Sequence, residues 1–405
     1  MLYTMHEFQH ALLAPFATAA AGAHILFSHP QSPWSYTPIA RGMAASNELL
    51  MRLVRRYEKP QWGIDSTVVD GKTVPVRIEK ALIKPFCHLL HFKRSAARND
   101  PVVLVVAPLS GHHSTLLRDT VRTMLPEHEV YITDWIDARM VPVHEGHFHL
   151  DDYVEYVQEF IRLLGPDVHL VSVCQPTVPV LAAVSLMAAN GEAIAPRTMT
   201  MMGGPIDTRK SPTEVNNFAT GRPVSWFESR VIQRVPAKYP GVGRRVYPGF
   251  LQHASFIAMN AHRHVEAHRE FFNHLVTGDG ESAEAHRRFY DEYNAVLDMP
   301  AEYYLETLRV AFKEHALANG TWDVRGRRVN PAAITRTALF TIEGELDDIS
   351  GVGQTEAAHT LCTNIPKDRR AHFLVDGVGH YGIFSGRRYR ERIYPRIRDF
   401  IRKHA

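Results

Sequence analysis

One cysteine stands where a nucleophile would. The run Val168-His169-Leu170-Val171-Ser172-Val173-Cys174-Gln175-Pro176 joins an apolar strand pattern to a thiol, and helix-compatible sequence follows from Val178 to Ala189. A strand that turns sharply into a helix lifts the side chain at the turn above the sheet. The positive end of the helix then favours a thiolate or a developing oxyanion. The usual form of this elbow has glycine two residues before and two after the nucleophile; here Ser172 and Pro176 take those places. The chemistry open to such a thiol is acyl transfer: attack on a carbonyl, a thioester, and release to water.

A nucleophile of this kind needs a base, an acid to orient it, and donors for the oxyanion. Residues Thr337 to Ile342 read as a buried strand that runs into Glu343-Gly344-Glu345-Leu346-Asp347-Asp348-Ile349, and the G-x-x-D-x-I spacing favours Asp347 over Asp348 as the acid. Downstream, His372 to Val375 leads into Asp376-Gly377-Val378-Gly379-His380-Tyr381-Gly382, where glycines leave room for a histidine loop. The order nucleophile, acid, histidine is that of the α/β-hydrolase triad, so the expected set is Cys174, Asp347 and His380. The oxyanion donors expected are the amide of Gln175 and one from Ala107-Pro108-Leu109-Ser110-Gly111-His112-His113, with Leu109 first and Ser110 second. His112 and His113 read as bystanders.

Positioning these residues requires a parallel sheet whose strand ends share one face. Val102 to Val106, Glu129 to Thr133, Val168 to Val173, Thr198 to Met202, Thr337 to Ile342 and His372 to Val375 are short apolar runs separated by helical sequence, the pattern of a mostly parallel sheet covered on both faces. Ahead of them, Thr67-Val68-Val69 and Val74 to Ile78 flank Asp70-Gly71, a tight-turn pair, and Phe86 to Phe92 reads as a further strand. The fold class is therefore α/β, of the α/β-hydrolase type. A helical N-terminal extension is expected over 1–65, the core over 66–207 and 332–405, and a helical cap over 208–331. The cap is rich in aromatic residues; among them Trp226 and Tyr303 are expected to bind substrate, with Ser110 at the mouth of the site.

Bulk properties exclude other classes. The chain has 405 residues, 45% of them hydrophobic and 22% charged, ordinary values for a globular protein. A net charge of +3 gives no electrostatic case for nucleic acid. Three cysteines argue against a disulfide framework and for a reducing, cytoplasmic setting. Ala11 to Phe27 is apolar, but no Lys or Arg precedes it and Pro15 and His24 interrupt it, so neither an export signal nor a membrane span is expected. His6-Glu7-Phe8-Gln9-His10 matches the zinc-protease helix H-E-x-x-H, yet no third ligand follows soon after. His264 and His268, one helical turn apart, read as a solvated helix face. No cofactor or metal is expected.

The sequence also resembles the intracellular polyhydroxybutyrate depolymerases, relatives of the polyhydroxyalkanoate synthases. The likeness spans nearly the whole chain: Pro30-Gln31-Ser32-Pro33-Trp34, Ala107 to Arg118, Thr133-Asp134-Trp135, Ser172 to Pro179, Gly344 to Thr355, and Gly379 to Arg388. Pro176 points to the depolymerase branch, since the synthases usually carry glycine there. The resemblance implies a Cys–Asp–His triad, release of 3-hydroxybutyrate units, and work at the surface of cytoplasmic polyester granules. Its implied partner is the polyester itself; coenzyme A as an alternative acyl acceptor to water, and a second copy in a homodimer, are left open by the sequence. A synthase-like acyltransferase and a non-catalytic granule-binding protein are the rival readings.

Overall fold

The computed structural model describes residues 2–32, 35–96 and 98–405; Pro33 and Trp34, two of the residues that carry the resemblance, lie outside them. Two helices come first, α1 (Leu2–Ser28) and α2 (Pro38–Val54). The Thr37 side chain accepts from the amide of Ala40 and Pro38 opens the first turn, so α2 begins with its free amides partly satisfied. The strands β1 (Ser66–Val69) and β2 (Lys72–Ile83) then form a hairpin. Asp70 and Gly71 at its tip both have positive φ, 50° and 76°, as a tight turn matched to the twist of the strands requires. β3 (Cys87–Arg94) completes an antiparallel flank.

The α/β part follows as β4 (Val102–Val106), α3 (Arg118–Met124), β5 (Glu129–Trp135), α4 (Leu150–Leu164), β6 (His169–Val173), α5 (Thr177–Ala189) and β7 (Thr198–Met202). Between β7 and the next core strand lie α6 (Glu214–Thr220), α7 (Val224–Arg230), β8 (Gln233–Arg234), β9 (Arg245–Tyr247), α8 (Gly249–Met259), α9 (Ala261–Thr277), α10 (Gly280–Tyr293), β10 (Met299–Pro300), α11 (Ala301–Thr307), β11 (Asp323–Val324) and β12 (Arg327–Arg328). The chain ends with β13 (Ala338–Gly344), α12 (Ala358–Leu361), β14 (Arg370–Val375), the short turn α13 (Gly386–Arg388) and α14 (Tyr394–His404). Pro395 stands in the first turn of α14, where its missing N–H costs nothing.

These strands make one nine-stranded sheet in the order β1-β2-β3-β5-β4-β6-β7-β13-β14. From β5 to β14 every pairing is parallel, while β3 meets β5 antiparallel. Every residue of β6, β7 and β13 is buried, as expected for strands covered on both faces. This is the α/β-hydrolase fold. The stretch between β7 and β13 is not wholly helical: β8, β9 and β10 form a small antiparallel sheet within it. Its strands are only two or three residues long and too short to leave a period in the sequence.

The N-terminal helix departs from expectation. Pro15 lies inside α1 without ending it, and Glu7 is its only charged residue. An 18-residue window of α1 reaches a mean hydropathy of 1.5, so this helix is long and apolar enough to cross a membrane, and little of it is buried. Phe8, Leu12 and Phe16 recur on one exposed side of it, at helical spacing. Its first turns are anchored on the small sheet and its surroundings. The buried Tyr3 hydroxyl donates to Asp298 Oδ2 at 2.6 Å, and the same carboxylate accepts from the Gly249 amide at 2.8 Å. Further along, α2 grips α10 through Arg52–Asp291 and Arg287–Glu48, at 2.7 and 2.6 Å. Tyr3→Phe removes a donor from a buried carboxylate and should lower the unfolding free energy by about 1–3 kcal/mol. An unchanged denaturation midpoint would show that α1 is not held through this bond.

Candidate active site

Cys174 follows β6 with φ +66°, the left-handed region that residues with a side chain seldom occupy. Neighbouring groups hold it there. Its amide donates to the Met202 carbonyl on β7 at 2.7 Å, and the Thr177 amide that opens α5 donates to the Cys174 carbonyl at 3.1 Å. Ser172, in place of the first elbow glycine, is fully buried, and its hydroxyl donates to the Thr200 carbonyl at 3.3 Å. Cys174 is partly exposed, whereas Cys87 and Cys362 are buried. Burial, reinforced by the charge of Asp134, pushes the Cys87 thiol well above its usual value. Burial raises Cys362 to about 12. Neither thiol is suited to ionise.

Asp347 and His380 meet beside this elbow. His380 Nδ1 lies 2.7 Å from Asp347 Oδ2, and the Asp347 side chain is wholly buried. The other carboxylate oxygen accepts from the amides of Ile349 and Ser350 at 2.9 and 2.8 Å, which fixes the plane of the group. With Nδ1 engaged, Nε2 is the nitrogen left for Cys174. Burial disfavours the charged ring, but the charges of Asp347 and Cys174 outweigh it and hold His380 well above its ordinary value. Asp348 points elsewhere: it is exposed and accepts from Asn260 Nδ2 at 3.0 Å.

Two supports escaped the sequence reading. Gly203 and Gly204 follow β7. A Cβ on Gly203, whose φ is +56°, would lie 2.6 Å from Ile383 Cδ1 and 3.2 Å from both Asp347 Oδ2 and His380 Cε1. One on Gly204 would fall 1.8 Å from Thr177 Oγ1. The signal available was a glycine pair directly after a buried strand. Glu343 is the second support: its buried carboxylate accepts the amides of Gly353, Thr355 and Glu356 at 2.8, 2.6 and 2.9 Å, and so shapes the loop beyond Asp347. An acid inside an apolar strand run was its signal.

A cavity of about 650 Å³ opens over Cys174 and is lined by Ser110, Gln175, Gly203 and His380 from the core and by Phe218 and Tyr303 from the cap. Tyr303 donates its hydroxyl to Gln175 Oε1. Trp226, expected in this wall, is not part of it. The residue packs edge-on against Phe218 and Phe227 and carries the Arg222 guanidinium at 4.9 Å; Phe218 and Phe227 face the cavity in its stead. On a seven-residue helix one face can meet the cavity, and Trp226 and Phe227 are successive residues that diverge by about 100°. Among the described residues, no acceptor meets the amides of Gln175, Leu109 or Ser110. Leu109 buries its side chain in the core, and Ser110 lines the cavity. The loop that carries them is pinned at Ala107: its amide donates to Thr133 Oγ1 at 2.9 Å, and its carbonyl accepts from Trp135 Nε1 at 2.8 Å and the Tyr153 hydroxyl at 3.1 Å.

The other histidines singled out in the sequence take structural places. His112 does line the cavity, stacked on Phe256 with its ring centroid 5.1 Å away. Burial lowers it to about 4, so it is a neutral wall, with Nε2–H donating to the Tyr293 carbonyl at 3.2 Å. His113 is buried and lowered to about 3 by that burial. In the H-E-x-x-H run, His6 stacks on Phe250 and Glu7 accepts from Arg56, Lys238 and Tyr239. His264 and His268 are not a solvated face. His264 binds the Tyr290 hydroxyl through Nδ1 at 2.9 Å, and His268 packs on Tyr290 and His286. The seam between α9 and α10 leaves both half-buried.

Two outcomes follow from this geometry. Asp347→Asn should lower the hydrolytic rate by about 10⁴, because a triad acid fixes the tautomer and supports the imidazolium, while Asp348→Asn should stay within a few fold of wild type. Rates on a soluble ester, measured beside melting temperatures, check both; the reverse ranking would shift the acid by one residue. Gly203→Ala should cost activity through the Asp347–His380 contact, and an active, fully stable variant would show that this close approach is not required.

Comparison with known proteins places the chain in a family. The family model described as "PHB de-polymerase C-terminus" matches residues 203–405. No curated protein matches the chain. Among solved structures, the chain is similar to 2-hydroxy-6-oxo-6-phenylhexa-2,4-dienoate hydrolase from Rhodococcus sp. strain RHA1, with 13% identity over 81% of this chain and 99% of that one and a TM-score of 0.45. It is also similar to a thermophilic esterase from Thermogutta terrifontis, with 14% identity over 84% and 98% and a TM-score of 0.41, and to the Paleococcus ferrophilus monoacylglycerol lipase, with 11% over 75% and 95% and a TM-score of 0.44. At these values the likeness carries no argument about substrate. The family match covers half of the chain, including β13, β14 and the Asp347 and His380 loops, and on it the chain belongs to the PHB depolymerase family, as an ester hydrolase of the α/β-hydrolase fold.

Proposed function

We propose that the chain hydrolyses the ester bonds of poly(3-hydroxybutyrate) at the surface of storage granules, through an acyl-thioester on Cys174. The observation that carries this reading is a partly exposed thiol in the left-handed elbow, sharing one cavity wall with a histidine that a fully buried carboxylate orients, in a chain of the PHB depolymerase family.

The steps use only side chains already described. His380 Nε2 takes the proton of Cys174 Sγ, and the sulfur attacks the ester carbonyl carbon. The carbonyl electron pair moves to oxygen, where the amide of Gln175 and one from Leu109 or Ser110 receive it. The carbon–oxygen bond to the alcohol breaks, and the leaving alkoxide takes the proton from His380. Water then gives a proton to His380 and attacks the thioester carbon, and the thiol leaves with that proton. Asp347 keeps Nδ1–H pointed inward throughout and balances the imidazolium.

Incubation of amorphous polymer granules with wild type and with Cys174→Ala tests the reading. Wild type should release soluble 3-hydroxybutyrate and short oligomers, and Cys174→Ala should lose at least about 10³ of that rate. A small alkylating agent should inactivate the native enzyme with one equivalent bound, mapped to Cys174, since Cys87 and Cys362 are buried and hard to ionise. Full activity in Cys174→Ala, or inactivation that tracks labelling at Cys87 or Cys362, would sink the cysteine mechanism. Acyl-coenzyme A as the product would mark thiolysis, and polymer made from 3-hydroxybutyryl-coenzyme A would mark a synthase.

A further inference from the structure

The first two helices are built inside out. On α1 the ionisable side chains turn toward the protein. Glu7 accepts from Arg56, Lys238 and Tyr239, His6 stacks on Phe250 with ring centroids 4.0 Å apart, and His24 Nδ1–H donates to the Ala44 carbonyl at 3.0 Å. The large apolar side chains turn outward: Phe8 is 62% exposed, Leu12 56% and Phe16 64%. Leu26 is exposed as well and falls on the line of Phe8 about five turns later, so the apolar face runs for about 27 Å. α2 repeats the pattern. Its Glu48 and Arg52 are buried in ion pairs with Arg287 and Asp291, while Ile39, Leu50 and Leu53 are exposed. A helix that faces water shows the opposite arrangement, with its polar side outward and its apolar side on the core. Exposed leucines scattered singly need no explanation; a continuous apolar face marks a site of interaction.

We propose that this outward face docks the protein on the uncharged, apolar surface of a solid polyester. The assignment rests on the polyester reading above and gives it an attachment surface apart from the cavity, since none of these residues lines the cavity over Cys174. Charge decides the occupant. Among the Lys, Arg, Asp and Glu residues of the two helices only Arg41 is exposed, and it stands about 180° around α2 from Leu50. A phospholipid surface presents phosphates, and helices that lie on it carry Lys or Arg to meet them. This face carries none. A polyester is neutral and asks only for apolar contact. Width argues in the same direction: Leu13 and Ile25, also exposed, spread the apolar arc of α1 past the narrow stripe that pairs two helices. The ties at Tyr3, Glu7 and His24 hold α1 on the protein near both of its ends, so the face is offered outward on a fixed frame.

The test sediments the Cys174→Ala protein, which leaves polymer intact, with amorphous poly(3-hydroxybutyrate) granules. Parallel samples contain vesicles of phosphatidylcholine or of phosphatidylglycerol. The triple variant Phe8→Gln, Leu12→Gln, Phe16→Gln and the single variant Leu12→Gln are compared in the same background, with melting temperatures as the control for folding. Granule affinity should fall by about tenfold or more in the triple variant and by several fold in Leu12→Gln, which decides the matter should the triple variant not fold. With Cys174 restored, kcat/KM on a soluble ester should stay within about twofold of wild type, since only uniform attachment to the solid is removed. Unchanged granule affinity in the folded variants overturns the docking face. Tighter binding to either vesicle than to granules overturns it in favour of a membrane, and a wild-type dimer that the triple variant splits overturns it in favour of a second copy. Granule binding that depends on this face, in a wild type that releases no 3-hydroxybutyrate, sinks the hydrolase reading and leaves the docking face standing.

Discussion

A carboxylate with no exposed surface touches an imidazole at 2.7 Å, and much of the surrounding structure follows from keeping that contact aligned. The Asp347 charge is tolerable in the interior because every direction around it is answered: two backbone amides on one oxygen, His380 on the other. The loop that supplies those amides is shaped in turn by Glu343, whose carboxylate gathers three more. β13 ends at Gly344, where a Cβ would lie 2.4 Å from the Val378 carbonyl, so the acid loop and the histidine loop can lie directly on each other. Burial disfavours the charged form of His380, and the neighbouring charges of Asp347 and Cys174 favour it.

The elbow shows how close approach can be obtained without its usual glycines. In the common form of the motif, glycines beside the nucleophile let strand and helix pass near each other. Here Ser172 and Pro176 occupy those positions, and the space is made on the neighbouring strand instead. Gly204 leaves room for Thr177 at the start of α5, and Gly203 leaves room for Ile383 and for the histidine and acid. Ser172 can be tolerated because its hydroxyl finds the Thr200 carbonyl, and Pro176 because the first turn of a helix has amides to spare.

The cap supplies what the core lacks, an apolar wall over the nucleophile. Phe218, Phe227, Phe256 and Tyr303 reach the cavity from four different helices, and Tyr303 also ties the cap to the elbow through Gln175. The N-terminal helices do not enter this site. They brace the far side of the cap, through Tyr3 on Asp298 and through the ion pairs between α2 and α10.

The parallel strands, the Asp70-Gly71 hairpin and the register that puts Cys174, Asp347 and His380 just past strand ends were legible in the residues, because buried strands and tight turns impose local patterns on a chain. The choice of Asp347 over Asp348 came from spacing, and in the structure it is Asp347 that faces His380. The cap was legible only as a region. Its two- and three-residue strands leave no period, and the side of a seven-residue helix that faces a cavity depends on what packs behind it, so Trp226 and Phe227 could not be told apart. The same holds for α1, where Pro15 and His24 look like breaks yet the helix continues. The need for Gly203 and Gly204 exists only once segments distant in sequence are brought together. Local sequence can specify which element forms and where a strand ends, since those depend on neighbouring residues; which groups stay unpaired, and which Cβ would collide, are properties of contacts between elements that no single segment contains.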